Sequence, residues 1–161
     1  MKQPVSQAEF KRIDRMNNQF MQEAILEAEK AAKQGEIPVG AVLVKDGQIV
    51  ARGHNLTIEK DNVLAHAECL VIENGLKKLS ARRLTGCSLY VTLEPCSMCA
   101  GAILLTRPDR VYFGAYDAEA GACGGKHDVL LGSGIEVYGG IMENECSNLL
   151  KAFFKDLRKN L

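Results

Sequence analysis

Two short clusters of metal-binding side chains, His66-Ala67-Glu68 and Cys96-Ser97-Met98-Cys99, lie far apart in the chain and constrain its fold most strongly. Two cysteines separated by two residues can place both sulfurs on one ion, and imidazole with thiolates suits zinc. A fold that uses His66, Cys96 and Cys99 together must bring two distant segments to one point. Three protein ligands leave a fourth position for water or hydroxide. That is the arrangement of a catalytic site, whereas structural zinc sites usually have four protein ligands. A redox pair at Cys96 and Cys99, or a structural site with Cys69 as fourth ligand, are the rival readings of the same residues.

Strand-like and helix-like segments alternate around these clusters. Residues 1–17 are polar with little periodicity and read as a frayed extension, so the domain is expected over 18–161. Phe20, Met21, Ala24, Ile25, Ala28, Ala31 and Ala32 recur at helical spacing over 18–34, and Gly35 ends that run. Residues 39–44 and 49–51 read as a hairpin about the Asp46-Gly47 turn. A polar loop then leads to a helix over 65–79. A strand over 88–93 precedes a helix that Pro95 opens, running to about residue 105. Further strands are expected over 111–113 and 135–138, separated by the glycine-rich loop 121–125. The last helix, 144–158, carries Leu149, Leu150, Phe153, Phe154 and Leu157 on one side, and the Phe153 and Leu157 stripe reads as core. Alternating strands and helices indicate an α/β layered domain with helices on both faces of a sheet.

Helix placement bears on the chemistry. At a helix start, unpaired N–H groups and the positive end of the dipole favour the thiolates of Cys96 and Cys99. His66 and Glu68 would be about 200° apart in a regular helix, on nearly opposite faces. They can serve one pocket only at a helix's N-terminal edge, where Glu68 becomes the candidate general acid and base. A His-x-Glu followed by a distant Pro-Cys-x-x-Cys is the signature of zinc deaminases that act on nucleobases.

Composition narrows the setting. A chain of 161 residues suits one domain, and no apolar run reaches the roughly 18 residues of a membrane helix. The N-terminus lacks the apolar core of a secretory signal, so a cytoplasmic protein is expected. With 20 basic and 20 acidic residues there is no strongly basic global field, and RNA contact would need a local patch. Six cysteines in such a chain suggest metal binding or buried thiols more than disulfides. Cys87, Cys123 and Cys146 read as small buried residues or loop thiols, and His54 and His127 as polar loop residues. Lys151, Lys155, Arg158 and Lys159 suit phosphate contact or a solvated helix face, and both remain open.

With these residues in view, the chain resembles the bacterial tRNA-specific adenosine deaminases from about residue 20 to 158. The matching stretches are Glu36-Ile37-Pro38-Val39-Gly40-Ala41-Val42, Gly53-His54-Asn55, Ala65-His66-Ala67-Glu68, the run from Leu89 to Ala102, Phe113-Gly114-Ala115 with Asp117, and Glu145-Cys146 leading to Phe153-Phe154. The metal motif is common to the whole deaminase superfamily. The Pro38-Val39-Gly40-Ala41 segment, the Asn55 spacing and the Phe113 to Asp117 run are more specific to the tRNA branch.

The resemblance implies a three-layer α/β/α cytidine deaminase-like domain with a five-stranded mixed sheet, a homodimer, and one zinc per subunit. It implies adenosine-to-inosine conversion at the wobble position of a tRNA anticodon stem-loop. Asn55 would hydrogen-bond the target base, Val39 and Leu93 would line its pocket, and Asp117 would contact a flanking nucleotide. Phe153, Lys155 and Arg158 would belong to an RNA-contacting end. The segment from Gly124 to Ile135 departs from the family pattern: its loop is shorter and lacks an Asn-His pair, which alters the RNA-facing rim. Two other functions compete: a deaminase of a free nucleobase or nucleoside such as guanine or cytosine, and a catalytically silent RNA-binding module that keeps zinc for stability. Glu68 argues against the silent module, because a structural site needs no carboxylate beside the metal.

Overall fold

Asp46 and Gly47 have φ of 51° and 73°, the paired left-handed conformations that a two-residue hairpin turn of type I′ requires, in a computed structural model that describes residues 3–161. The turn joins β1 (Gly40–Lys45) to β2 (Gln48–His54), which pair antiparallel with Lys45 opposite Gln48. On its other side β1 pairs antiparallel with β3 (Cys87–Leu93). β3 then runs parallel to β4 (Arg110–Ala115), and β4 parallel to the short β5 (Glu136–Tyr138). The result is the expected five-stranded mixed sheet, in the order β2-β1-β3-β4-β5.

Strand alternation sorts the core into two layers. Ala41, Leu43, Leu89, Val91, Val111 and Phe113 face α2 (Ala67–Leu79) and α3 (Ser97–Thr106). Val42, Val44, Tyr90 and Tyr112 face α1 (Gln7–Lys33) and α4 (Glu143–Lys159). Tyr90 and Tyr112 stack with centroids 4.6 Å apart, and the Tyr90 hydroxyl donates to Asn17 Oδ1 at 2.7 Å. The three-layer α/β/α architecture implied by the resemblance is present.

Three local expectations are corrected. First, the segment to residue 17 is not frayed: α1 already begins at Gln7. Ser6 caps it, its hydroxyl accepting from the Glu9 amide at 3.2 Å, in a Ser-x-x-Glu start that periodicity alone does not reveal. The first turns stay largely exposed, and core burial starts at Asn17. Residues 1–2 of the expected extension lie outside the described residues.

Second, Pro95 is not in the first turn of α3. Cys96 is the N-cap, so Pro95 precedes the cap and shapes the entering chain. Third, the Phe153 and Leu157 stripe is not core. Cys146 is the buried residue of α4, while Leu157 is 49% exposed. The last turns of α4 lie beside Ala32 and Gly35 at the end of α1, where Phe153 and Leu157 line a shallow groove instead of meeting a strand.

A buried carboxylate anchors the loop between β2 and α2. Glu36 is 1% exposed and accepts from the amides of Ile58 and Glu59 at 2.6 and 3.0 Å and from the Thr57 hydroxyl at 3.0 Å. Burial pushes its carboxyl up, but these donors outweigh burial and hold it below the usual value. A lowered folded pKa gives stability that is full above the unfolded value and lost as pH falls through the folded one. Glu36→Gln should therefore cost about 1.5–3 kcal/mol at pH 7. That gap should narrow progressively as pH drops below about 4, read by urea unfolding of both proteins across pH. A gap that is unchanged at acid pH would refute the assignment.

Candidate active site

α2 and α3 begin side by side, and their N-caps are His66 and Cys96. Both caps are extended, with φ/ψ of −77°/147° and −73°/174°, and neither side chain makes the usual N-cap bond to its own helix. His66 is therefore outside the helical turn that would have set it opposite Glu68. The cap that His66 does not supply comes from Asn55, whose Oδ1 accepts from the Ala67 amide at 2.8 Å. Cys99 follows one turn into α3 and is fully buried.

The geometry suits a tetrahedral ion. His66 Nδ1 lies 3.6 Å from Cys96 Sγ and 3.6 Å from Cys99 Sγ, and the three donor atoms are all within 4.8 Å of one another. Zinc bonds of about 2.3 Å to sulfur and about 2.0 Å to nitrogen at a tetrahedral angle put donors about 3.6 Å apart. Cys69 Sγ touches Cys99 Sγ at 3.6 Å but is outside that ligand-spaced group. The group spaced to hold an ion is thus three residues, the number that leaves one tetrahedral position open.

Charge at the site follows from its contacts. Hydrogen bonds from Cys99 and then His66 hold the Cys96 thiol down at about 3. His66 is raised, chiefly by its bond to Cys96. Cys99 is pushed up, first by its contacts with Cys69 and Cys96. Of the two ligand-spaced sulfurs, Cys96 is therefore the one these contacts favour as a thiolate. Glu68, in the first turn of α2 and 4% exposed, has its carboxyl pushed up to about 7 by burial. That environment lets one carboxyl both take and give a proton near neutral pH.

The family model for the cytidine and deoxycytidylate deaminase zinc-binding region matches residues 14–115. A tRNA-specific adenosine deaminase of Bacillus subtilis (strain 168) is 49% identical over 144 residues, covering 87% of this chain and 89% of the relative. The chain belongs to the tRNA-specific adenosine deaminase family. A solved structure from studies of A-to-I editing by tRNA:A34 deaminases superposes with a TM-score of 0.77 at 43% identity, over 82% of this chain and 99% of that one. A guanine deaminase from Bacillus subtilis is more distant, with a TM-score of 0.60 at 38% identity over 70% of this chain and 72% of its own. One zinc ion per chain is the cofactor of this deaminase domain, and the donor spacing fits it.

Other residues singled out in the sequence fall into two groups. Asn55, 7% exposed, is tied to the site by its side-chain bond to Ala67, and its backbone N–H donates to the Val39 carbonyl at 3.1 Å. Leu93 ends β3, two residues before the Pro95-Cys96 turn. Asp117 is in the loop after β4, with Oδ1 accepting from the Glu119 and Ala120 amides at 3.0 and 3.1 Å. Phe153, Lys155 and Arg158 lie on α4 in the opposite helical layer, and no hydrogen bond joins them to the donor residues among the described residues. His54 contacts Gln34 and Glu27, in keeping with a structural role. All six cysteines are free. Glu27, Glu36 and Glu94 are buried carboxyl groups that the sequence reading missed. The one signal for Glu94 is an acidic residue between apolar Leu93 and Pro95.

Proposed function

We propose that this protein converts adenosine to inosine at the wobble position of tRNA anticodon loops, with zinc held by His66, Cys96 and Cys99 and Glu68 moving the protons. The observation that carries the reading is Glu68 buried beside a three-donor centre, in a chain akin to tRNA adenosine deaminases throughout its deaminase core. When bound, zinc supplies Lewis-acid activation of water at neutral pH. Glu68 takes a proton from the attacking water and passes it to N1 of the purine ring, then takes the proton of the new C6 hydroxyl and passes it to the amino group, which leaves as ammonia. Water adds at C6 and ammonia leaves, giving inosine. An anticodon base suits this pocket because it is already single-stranded and cheap to extrude.

Positioning falls to the surrounding residues. Asn55 Oδ1 is committed to Ala67, so its Nδ2 is the end that donates to the base. Val39 and Leu93 flank the ring, Asp117 meets a neighbouring nucleotide, and Phe153, Lys155 and Arg158 meet the RNA farther out. We place the enzyme in the cytoplasm, since none of its six cysteines is in a disulfide, which suits a reducing compartment, and among the described residues no helix is long and apolar enough to cross a membrane; the homodimer rests on the family resemblance.

The test is inosine formation in an anticodon stem-loop with adenosine at the wobble position, using zinc-loaded protein. Ammonia release from guanine or a free nucleoside, without inosine in the stem-loop, would move the reading to the free-base class. Asn55→Asp separates cap from base contact, since a carboxylate still accepts from Ala67 but cannot donate. It should fold and bind zinc normally while kcat/KM on the stem-loop falls by roughly 100-fold, the scale of a lost buried hydrogen bond. Parent-like kinetics would remove Asn55 from the base contact.

A further inference from the structure

Glu94, 2% exposed, stands in the chain between the end of β3 and the Pro95-Cys96 turn, and its carboxylate reaches the 117–125 loop. Oε1 accepts from the Asp117 amide at 3.2 Å, and Oε2 accepts from the amides of Cys123 and Gly125 at 3.1 and 2.8 Å. No Lys, Arg or His pairs with it among the described residues. The backbone adds to this grip: the Ala122 amide donates to the Pro95 carbonyl at 2.8 Å, and Cys96 bridges to Gly121. The loop fits closely round the carboxylate. A Cβ on Gly125 would meet the Asp117 carbonyl at 2.5 Å and the Glu94 carboxylate at 2.7 Å, and one on Gly121 would collide with the same two groups. Cys96 and Asp117 are therefore fixed relative to one another through one buried side chain.

We propose that Glu94 is a positioning residue that holds the 117–125 loop, and with it Asp117, against the metal-binding turn, and so sets which nucleotide is accepted beside the target base. The specificity half of this inference rests on the tRNA reading above. Glu94 does not touch substrate; it acts through Asp117. An amide in its place keeps the shape but turns one acceptor into a donor. At least one loop amide is then left facing an N–H, without a partner.

The experiment compares the parent with Glu94→Gln as zinc-loaded full chains. It reads bound zinc, hydrogen exchange of the loop amides, and kcat/KM on two stem-loops differing only in a nucleotide flanking the target adenosine. We expect unchanged zinc and faster exchange confined to 117–125. Discrimination between the two stem-loops should fall by at least about tenfold, the scale of lost charge-assisted hydrogen bonds. A general loss of packing would slow both RNAs alike and speed exchange throughout the sheet, and that result overturns the proposal. So does loss of zinc, parent-like discrimination, or a parent indifferent to the flanking nucleotide. If Glu94→Gln does not fold, Gly125→Ala displaces the loop from the other side with the carboxylate intact and must give the same selective change. A parent that makes no inosine refutes the tRNA reading, and the exchange pattern then decides the hold of Glu94 on the loop by itself.

Discussion

Glu68→Ala is expected to lower inosine formation by about 10⁴-fold while the protein keeps its zinc. General acid–base groups contribute about 10²- to 10⁴-fold, and Glu68 is assigned both the proton taken from water and those delivered to ring and leaving group. That multiple duty places the loss at the upper end. Zinc should remain at one per chain because Glu68 is not among the ligand-spaced donors. Thermal stability should not fall either. Burial raises this carboxyl to about 7, so its ionised form is one the fold disfavours, and removing such a group tends to stabilise at the expense of activity. The measurements are single-turnover inosine yield, metal analysis and Tm on one preparation. Residual activity within tenfold of the parent would remove Glu68 from the proton path.

Cys96→Ser should remove zinc and activity together. On the proposed reading Cys96 is a zinc donor as well as the N-cap of α3, and a hydroxyl is a poor zinc ligand at neutral pH. A ligand present at a thousandfold over its Kd stabilises by about 4 kcal/mol, and in a domain of this size that is about 10 °C of Tm. The variant should melt about that much lower, and a chelator should shift the parent down to meet it while leaving the variant unmoved. Full zinc occupancy with active Cys96→Ser would show that another residue completes the site. Cys69, at 3.6 Å from Cys99, is the one to replace next.

How much of this was legible in the chain depended on the range of the interaction that carries each feature. Asp46-Gly47 announces its turn because the φ requirement belongs to those two residues. The His66, Cys96 and Cys99 meeting was legible because the donor chemistry itself demands one point in space. The start of α1 was missed because a single capping bond at Ser6, with mostly exposed turns after it, leaves no apolar stripe. The fate of Phe153 and Leu157 was misread because periodicity reveals a face but not what opposes it, here the end of α1. Glu36 and Glu94 were the least legible. Apart from the Thr57 hydroxyl, their partners are backbone amides 22 or more residues away, and backbone amides leave no mark in a sequence.

The two helical layers also divide what can change. His66, Glu68, Cys96 and Cys99 belong to the starts of α2 and α3, whereas α4 sits across the sheet. Under the proposed reading, the chemical step is inherited through one layer and much of the RNA address through the other. Substitutions along the exposed side of α4 can then explore new RNA partners without refitting the metal centre. A descendant of this chain could change its target long before it changed its reaction.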